Sequence, residues 1–345
     1  MNLIKPRKLN PGDTIAVVSP SWGGPGKFPY RYNAGKRQLI EEFNVRVVEM
    51  PHALKSPEWV HANPKARAED LMAAFADPSI NGIIASIGGD DSIRLLPYLD
   101  FEIIRNNPKC FMGYSDTTVL HFACLKAGLG SFYGPSIMAG FGENCGVQPY
   151  TKASVFKTVF SNQIIGEIDE ADEWTVEHLE WEDPSNQTRK RKMESPLGRA
   201  FLQGAGIKCG PLIGGCVDVF PMLLGTALWP DKPAFKGAIL FLETSEDAPP
   251  VDDIKRILRN LGVQGVLTDL NGILIGRPGG NVADLRQYDA AIQSVIKEEF
   301  GLTEIPIIAQ MDFGHTEPMF TIPYGVQMEI NCDTQKITIL EAACV

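Results

Sequence analysis

The chain has 345 residues, 44% of them apolar, enough for two domains of ordinary size with real cores. Lys and Arg total 32 against 42 Asp and Glu, a net charge of -10 that disfavours nucleic acid and anionic membrane surfaces as partners. No uninterrupted apolar stretch would span a bilayer, residues 1–7 lack a signal-peptide core, and the seven cysteines include no C-x-x-C pair, so a cytoplasmic protein with reduced thiols is expected.

Residues 13–18 read as a buried strand that breaks at Ser19-Pro20. Residues 35–43 read as a helix, 45–48 as a strand, and 65–76 as a helix with Leu71, Met72 and Phe75 on one face. A third strand, 82–87, ends in Gly88-Gly89-Asp90-Asp91, and a fourth, 109–112, runs into Gly113-Tyr114-Ser115-Asp116-Thr117 and an apolar helix. This alternation argues for a parallel sheet with helices on both faces. Residues 166–195 change character: 167–173 are acidic, 189–192 are basic, and both runs read as solvated surface. The segment also carries Trp174 and Trp181, and reads as a linker plus an excursion near the site. The pattern resumes with Gly214-Gly215-Cys216 before a helix. Strands at 238–242, 272–275 and 305–309 follow, with helices near 251–261 and 286–299 between them. Residues 326–342 read as a hairpin across Asp333-Thr334. The expected fold is α/β: a Rossmann-like parallel sheet flanked by helices over 1–165, the linker and excursion over 166–200, and a smaller α/β domain over 201–345.

The stretch around Ser115 is the most informative. A serine on a tight strand-to-helix turn exposes its hydroxyl beside a helix N-terminus, where free N–H groups can hold an oxyanion. The elbow pattern is G-x-S-x-G, but Thr117 replaces the last glycine, and Ser115 or Asp116 as a simple N-cap is the competing reading. A serine nucleophile needs a base, and the base an orienting carboxylate. Of five histidines, His121 sits between Leu120 and Phe122 like a core residue. His52 and His61 lie in loops with no evident carboxylate, and His178 lies in the excursion. His315 follows the strand 305–309, where α/β proteins place their sites. As a base it should titrate in the ordinary histidine range, about 6–7. Glu243 closes an apolar strand and so needs a partner, either a histidine to orient or an arginine or turn to hold. Glu246 and Asp247 read as turn and cap residues before Pro249-Pro250. The N–H groups of Gly88-Gly89, with that of Asp116, suit an oxyanion hole; a plain βα turn is the alternative, and no Gly-Lys-Ser/Thr run supports a nucleotide P-loop.

Together Gly88-Gly89-Asp90-Asp91, Gly113-Tyr114-Ser115-Asp116, Gly214-Gly215, Phe241-Leu242-Glu243 and Gly314-His315 resemble the LD-carboxypeptidase family of serine peptidases, as does the opening strand Pro11-Gly12-Asp13-Thr14-Ile15-Ala16-Val17-Val18-Ser19-Pro20-Ser21. The resemblance spans nearly the whole chain. It implies a Ser115-Glu243-His315 triad, an oxyanion hole from Gly89 and Asp116, a swivelling, β-rich second domain, a site between the two domains, and a homodimer. It implies no metal or organic cofactor. One branch of the family trims terminal D-alanine from L,D-linked murein tetrapeptides. Another, the microcin C immunity type, cuts the amide joining an acidic amino acid to a modified adenylate. Gly-Gly-Asp-Asp where murein enzymes carry Gly-Gly-Tyr-Gly, and the longer 166–195 segment, resemble the immunity branch. On that branch Asp90, Asp91 and a tryptophan of the excursion, Trp181 rather than Trp174, would face the substrate, a small peptide or aminoacyl nucleotide. A murein L,D-carboxypeptidase is the second reading, and a non-catalytic nucleotide- or sugar-binding protein the third.

Overall fold

The computed structural model describes residues 2–196, 198–280 and 284–345. Strand β1, Thr14–Val18, is buried along its whole length, as a parallel strand covered on both faces must be. It pairs in parallel with β2, Arg46–Glu49, and with β3, Gly82–Ala85. Next come β4, Cys110–Gly113, and the short β5, Phe132–Tyr133, also parallel. Their order across the sheet is β5-β4-β3-β1-β2. The helices Pro29–Phe43, Pro64–Ala76 and Thr118–Ala127 form much of its crossovers. The Rossmann-like reading therefore holds.

The second sheet has eight strands. Its parallel centre is β8, Ile207–Cys216; β9, Ile239–Glu243; β10, Gly272–Gly276; and β11, Ile307–Met311. Antiparallel strands complete it: β6, Gly166–Glu167, and β7, Ala200–Gln203, from the ends of the linker segment, and the hairpin β13, Gln327–Asn331, with β14, Lys336–Ile339. Sequence reading caught the hairpin but missed the ten-residue β8, because Gly210, Pro211, Gly214 and Gly215 break its strand pattern. The predicted helix 286–299 forms as Gln287–Gln293 followed by a π-turn over Ser294–Glu299.

The sheets are not independent. The short β12, Ile322–Pro323, returns to pair with β5 at the edge of the first sheet. One apolar cluster runs from Met112 and Tyr133 to Leu212 and Phe241. The carboxyl ends of β4, β5 and β9 therefore meet across this seam. Among the described residues no helix is long and apolar enough to cross a membrane. Four cysteines are buried, but Cys145 and Cys209 are exposed.

Candidate active site

Ser115 follows β4 with φ of +63°, a left-handed conformation that non-glycine residues rarely hold. Such strain persists only where surroundings over-determine it. Here they do. The Ser115 N–H donates to the Tyr133 hydroxyl at 3.0 Å, and its carbonyl accepts from Thr118 Oγ1 at 2.7 Å. Thr118 Oγ1 in turn accepts from the Cys216 N–H at 3.1 Å, tying the elbow to β8 of the second sheet. Thr117, in the place of the elbow's last glycine, donates its hydroxyl to the Tyr114 carbonyl at 2.6 Å.

Asp116 is fully buried, and its carboxylate accepts from the N–H groups of Asp91, at 3.1 Å, and Ser92, at 2.8 Å. Its side chain therefore caps the turn after Gly89 and locks that turn to the elbow. A side chain on Gly88 would put its Cβ 2.8 Å from Ser115 Cβ and 3.6 Å from the Asp116 N–H nitrogen, so only glycine fits there. The N–H groups of Gly89 and Asp116 thus belong to two segments packed against each other at Ser115.

Glu243 ends β9 and is 1% exposed. Its Oε2 lies 2.7 Å from His315 Nδ1, and its Oε1 accepts from the Tyr133 hydroxyl. Gly314, with φ of +99°, makes this approach possible: a Cβ there would sit 2.6 Å from Glu243 Oε2. Burial lowers the His315 pKa, but Glu243, then Glu246 and Asp218, outweigh it and raise it to about 9. The ordinary histidine range expected from sequence does not describe this ring. Its other nitrogen, Nε2, lies 3.1 Å from Glu246 Oε2. The Tyr114 ring meets His315 edge-on at 4.9 Å, which sets the imidazole beside the residue preceding Ser115. Burial, then Glu243, pushes the Tyr133 phenol well above its usual pKa, so it remains a donor.

The other histidines serve packing and local pairing. His121 is buried between the Gly113 carbonyl, 2.9 Å from Nε2, and Ser131 Oγ, 2.8 Å from Nδ1; burial lowers its pKa to about 4, so it is neutral. Contrary to the sequence reading, His52 and His61 do have carboxylates, Asp70 and Asp91, each at 2.9 Å. Asp91 also binds Arg67 and Arg94, so its carboxylate is engaged, whereas Asp90 is exposed. Cys216 Sγ, Glu243 and His315 lie within 4.8 Å of one another, residue types that bind metals. Burial, then Glu243, holds Cys216 as a thiol, and both Glu243 oxygens are already taken. The trio is therefore a poor metal cradle.

The excursion is anchored rather than loose. Arg191, in the basic run read as solvated, forms a two-pronged pair with buried Glu143, one contact being 2.8 Å. Trp174 is buried, donates to the Ser195 carbonyl at 3.1 Å and stacks under Arg277 at 4.8 Å. Trp181 is only partly buried. Arg31 lies 5.0 Å from its ring and Phe28 meets it edge-on at 5.7 Å. Phe28 in turn meets Trp22 at 5.9 Å, and Trp22 packs against Gly89. A row of rings thus leads from the excursion to the glycine turn. Sequence reading missed Tyr133, Trp22 and the Glu246 contact; a tyrosine ending a buried strand was the one available signal.

The chain matches the family model of the LD-carboxypeptidase N-terminal domain over residues 15–134 and that of the C-terminal domain over 209–330. It is 30% identical to the microcin C7 self-immunity protein MccF of Escherichia coli, over 96% of this chain and 94% of that protein. It is 29% identical to a probable murein peptide carboxypeptidase of Bacillus subtilis, over 98% and 94%. The structure of MccF in complex with aspartyl sulfamoyl adenosine superposes with a TM-score of 0.88 at 28% identity, covering 99% of this chain and all of that one (100%).

Proposed function

Because the chain belongs to the LD-carboxypeptidase family of serine peptidases, we propose that Ser115, His315 and Glu243 form its triad and that it hydrolyses the amide between an amino acid, acidic in the family's immunity branch, and a modified nucleotide. The observation that carries the triad is Glu243 at the junction of the two sheets, bonded at once to His315 and to the tyrosine that fixes Ser115. Ser115 Oγ attacks the carbonyl and His315 takes its proton. The Gly89 and Asp116 N–H groups hold the oxyanion, donors typically worth about 3 kcal/mol each. His315 then protonates the leaving nitrogen, and water repeats the sequence on the acyl-enzyme. Glu243 holds the ring and its positive charge.

The nucleotide reading is supported by the partly exposed Trp181, set in a row of rings that ends at the Gly89 turn. Asp91, taken up by Arg67 and Arg94, acts by shaping that turn, and Asp90 is the carboxylate left to meet substrate. The murein reading stands second, supported by the Bacillus subtilis relative. Two experiments separate the readings. A fluorophosphonate labels Ser115 if the chain is a hydrolase and leaves it untouched if it only binds. Release of aspartate from aspartyl sulfamoyl adenosine by the wild type, absent in Ser115→Ala, supports the nucleotide reading; its absence overturns it.

A further inference from the structure

The nitrogen that must accept the Ser115 proton has a carboxylate beside it. His315 Nε2 lies 3.1 Å from Glu246 Oε2, and among the described residues it makes no hydrogen bond to Ser115. Glu246 is not a stray surface contact. Its turn is held by the Ser245 N–H on Asp218 Oδ2 at 2.7 Å and by the Ala248 N–H on the Ser245 carbonyl at 3.2 Å. The turn rests on backbone: a Cβ on Gly279 would lie 2.9 Å from the Ser245 carbonyl oxygen, and one on Gly280 2.3 Å from that of Glu246. Yet the Glu246 side chain is 71% exposed, so a ligand can reach it while it touches the ring.

The groups facing His315 are Glu243 from β9, Glu246 from the turn after it, Asp218 and Cys216 from the end of β8, and the Tyr114 ring from the elbow. The two arginines near Tyr114 are engaged, Arg191 with Glu143 and Arg31 with the Met138 carbonyl and Asn144. Three carboxylates therefore surround one imidazole. Such a field favours the imidazolium, with Nδ1–H bonded to Glu243 and the Glu246 carboxylate in ion-pair contact with Nε2.

We propose that Glu246 holds the His315 base in reserve and releases it to Ser115 when a substrate ammonium next to the scissile carbonyl takes over its carboxylate. The site then selects aminoacyl substrates with a free amino group. This rests on the triad proposed above. The ammonium cancels the Glu246 charge and adds a like charge beside the ring. The Nε2 proton leaves to water, and the freed lone pair accepts the Ser115 proton as the Oγ–C bond forms. That proton passes to the leaving nitrogen as the C–N bond breaks. Glu246 is a positioning and selecting residue, not a catalytic one.

The test uses wild type and Glu246→Gln. The first readout needs no natural substrate: the rate of Ser115 phosphonylation by a fluorophosphonate, followed against pH. Its midpoint should fall by about one unit in Glu246→Gln, since one unit is a tenfold change in proton affinity. An unchanged midpoint overturns the proposal. The second readout compares aspartyl sulfamoyl adenosine with its N-acetyl derivative. Wild type should favour the free amine by about tenfold or more in kcat/KM, and Glu246→Gln should lose that preference. Equal preference in both proteins also overturns it. If wild type labels normally but cleaves neither nucleotide, the substrate reading has failed, and the first readout still decides the role of Glu246.

Discussion

The Tyr133 hydroxyl accepts the Ser115 N–H at 3.0 Å and donates its own hydrogen bond to Glu243. One phenol thus joins the backbone of Ser115 to the carboxylate bonded to His315, across the seam between two sheets. Replacing Tyr133 by Phe keeps the ring in the core but cuts both bonds. Glu243 then loses a donor and carries more negative charge toward His315. The expected result is a drop in kcat of about 10²-fold with KM little changed, and a kcat/KM profile moved to higher pH. A variant with unaltered kcat and profile would show that Tyr133 is only packing.

The three residues of the proposed triad should separate by severity. Ser115→Ala should lose about 10⁶-fold in kcat, as when a triad nucleophile is removed, and His315→Ala should be similar. Glu243→Gln should cost less, about 10⁴-fold, because nucleophile and base remain while the ring loses its anchor. Steady-state kinetics on folded variants, checked by circular dichroism, decide this. A Ser115→Ala enzyme retaining most activity would end the account.

The pH profile follows from the carboxylates around His315. With His315 as the proposed base, the neutral ring is the active form, and the ring is raised to about 9, so activity in the free enzyme should be lost as pH falls below that value. kcat/KM should climb about tenfold per unit between pH 6 and 8 and level near 9. A plateau already reached at pH 7 would mean that Glu243 and Glu246 do not act on His315 as their positions require.

Much of the proposed site was legible as strand ends. Ser115, Glu243 and His315 each stand where a buried run meets its loop. Ser115 follows a strand of the first sheet, Glu243 ends and His315 follows strands of the second, and the ends meet where the two sheets join. His121 was legible too, since apolar neighbours on a helix leave a histidine nowhere to go but the core. Tyr133 was hidden because an aromatic in Phe132-Tyr133 looks like core, and its hydroxyl finds its partners only after β5 and β9 meet. Glu246 looked like a turn residue and is one, but the turn folds back onto Gly279 and Gly280, a contact no local pattern announces. Arg191 looked solvated for the same reason: its partner Glu143 lies 48 residues away in a loop.

Trp181 separates the two enzyme readings. An indole face contributes about 1–3 kcal/mol per stacked base. Trp181→Ala should therefore raise KM for an aminoacyl sulfamoyl adenosine about tenfold or more, while a small substrate lacking the base is cleaved nearly as before. Equal damage to both substrates, with a lower melting temperature, would mean that Trp181 only packs against Phe28 and Arg31.

The most direct measurement sets the two substrates side by side. One preparation of wild type and one of Ser115→Ala are each given aspartyl sulfamoyl adenosine and a murein tetrapeptide ending in D-alanine, and products are read by mass spectrometry. Free aspartate and sulfamoyl adenosine are expected from the wild type alone, at a rate well above any release of D-alanine. Release of D-alanine with the nucleotide left intact would contradict the nucleotide reading and leave the murein carboxypeptidase reading in its place.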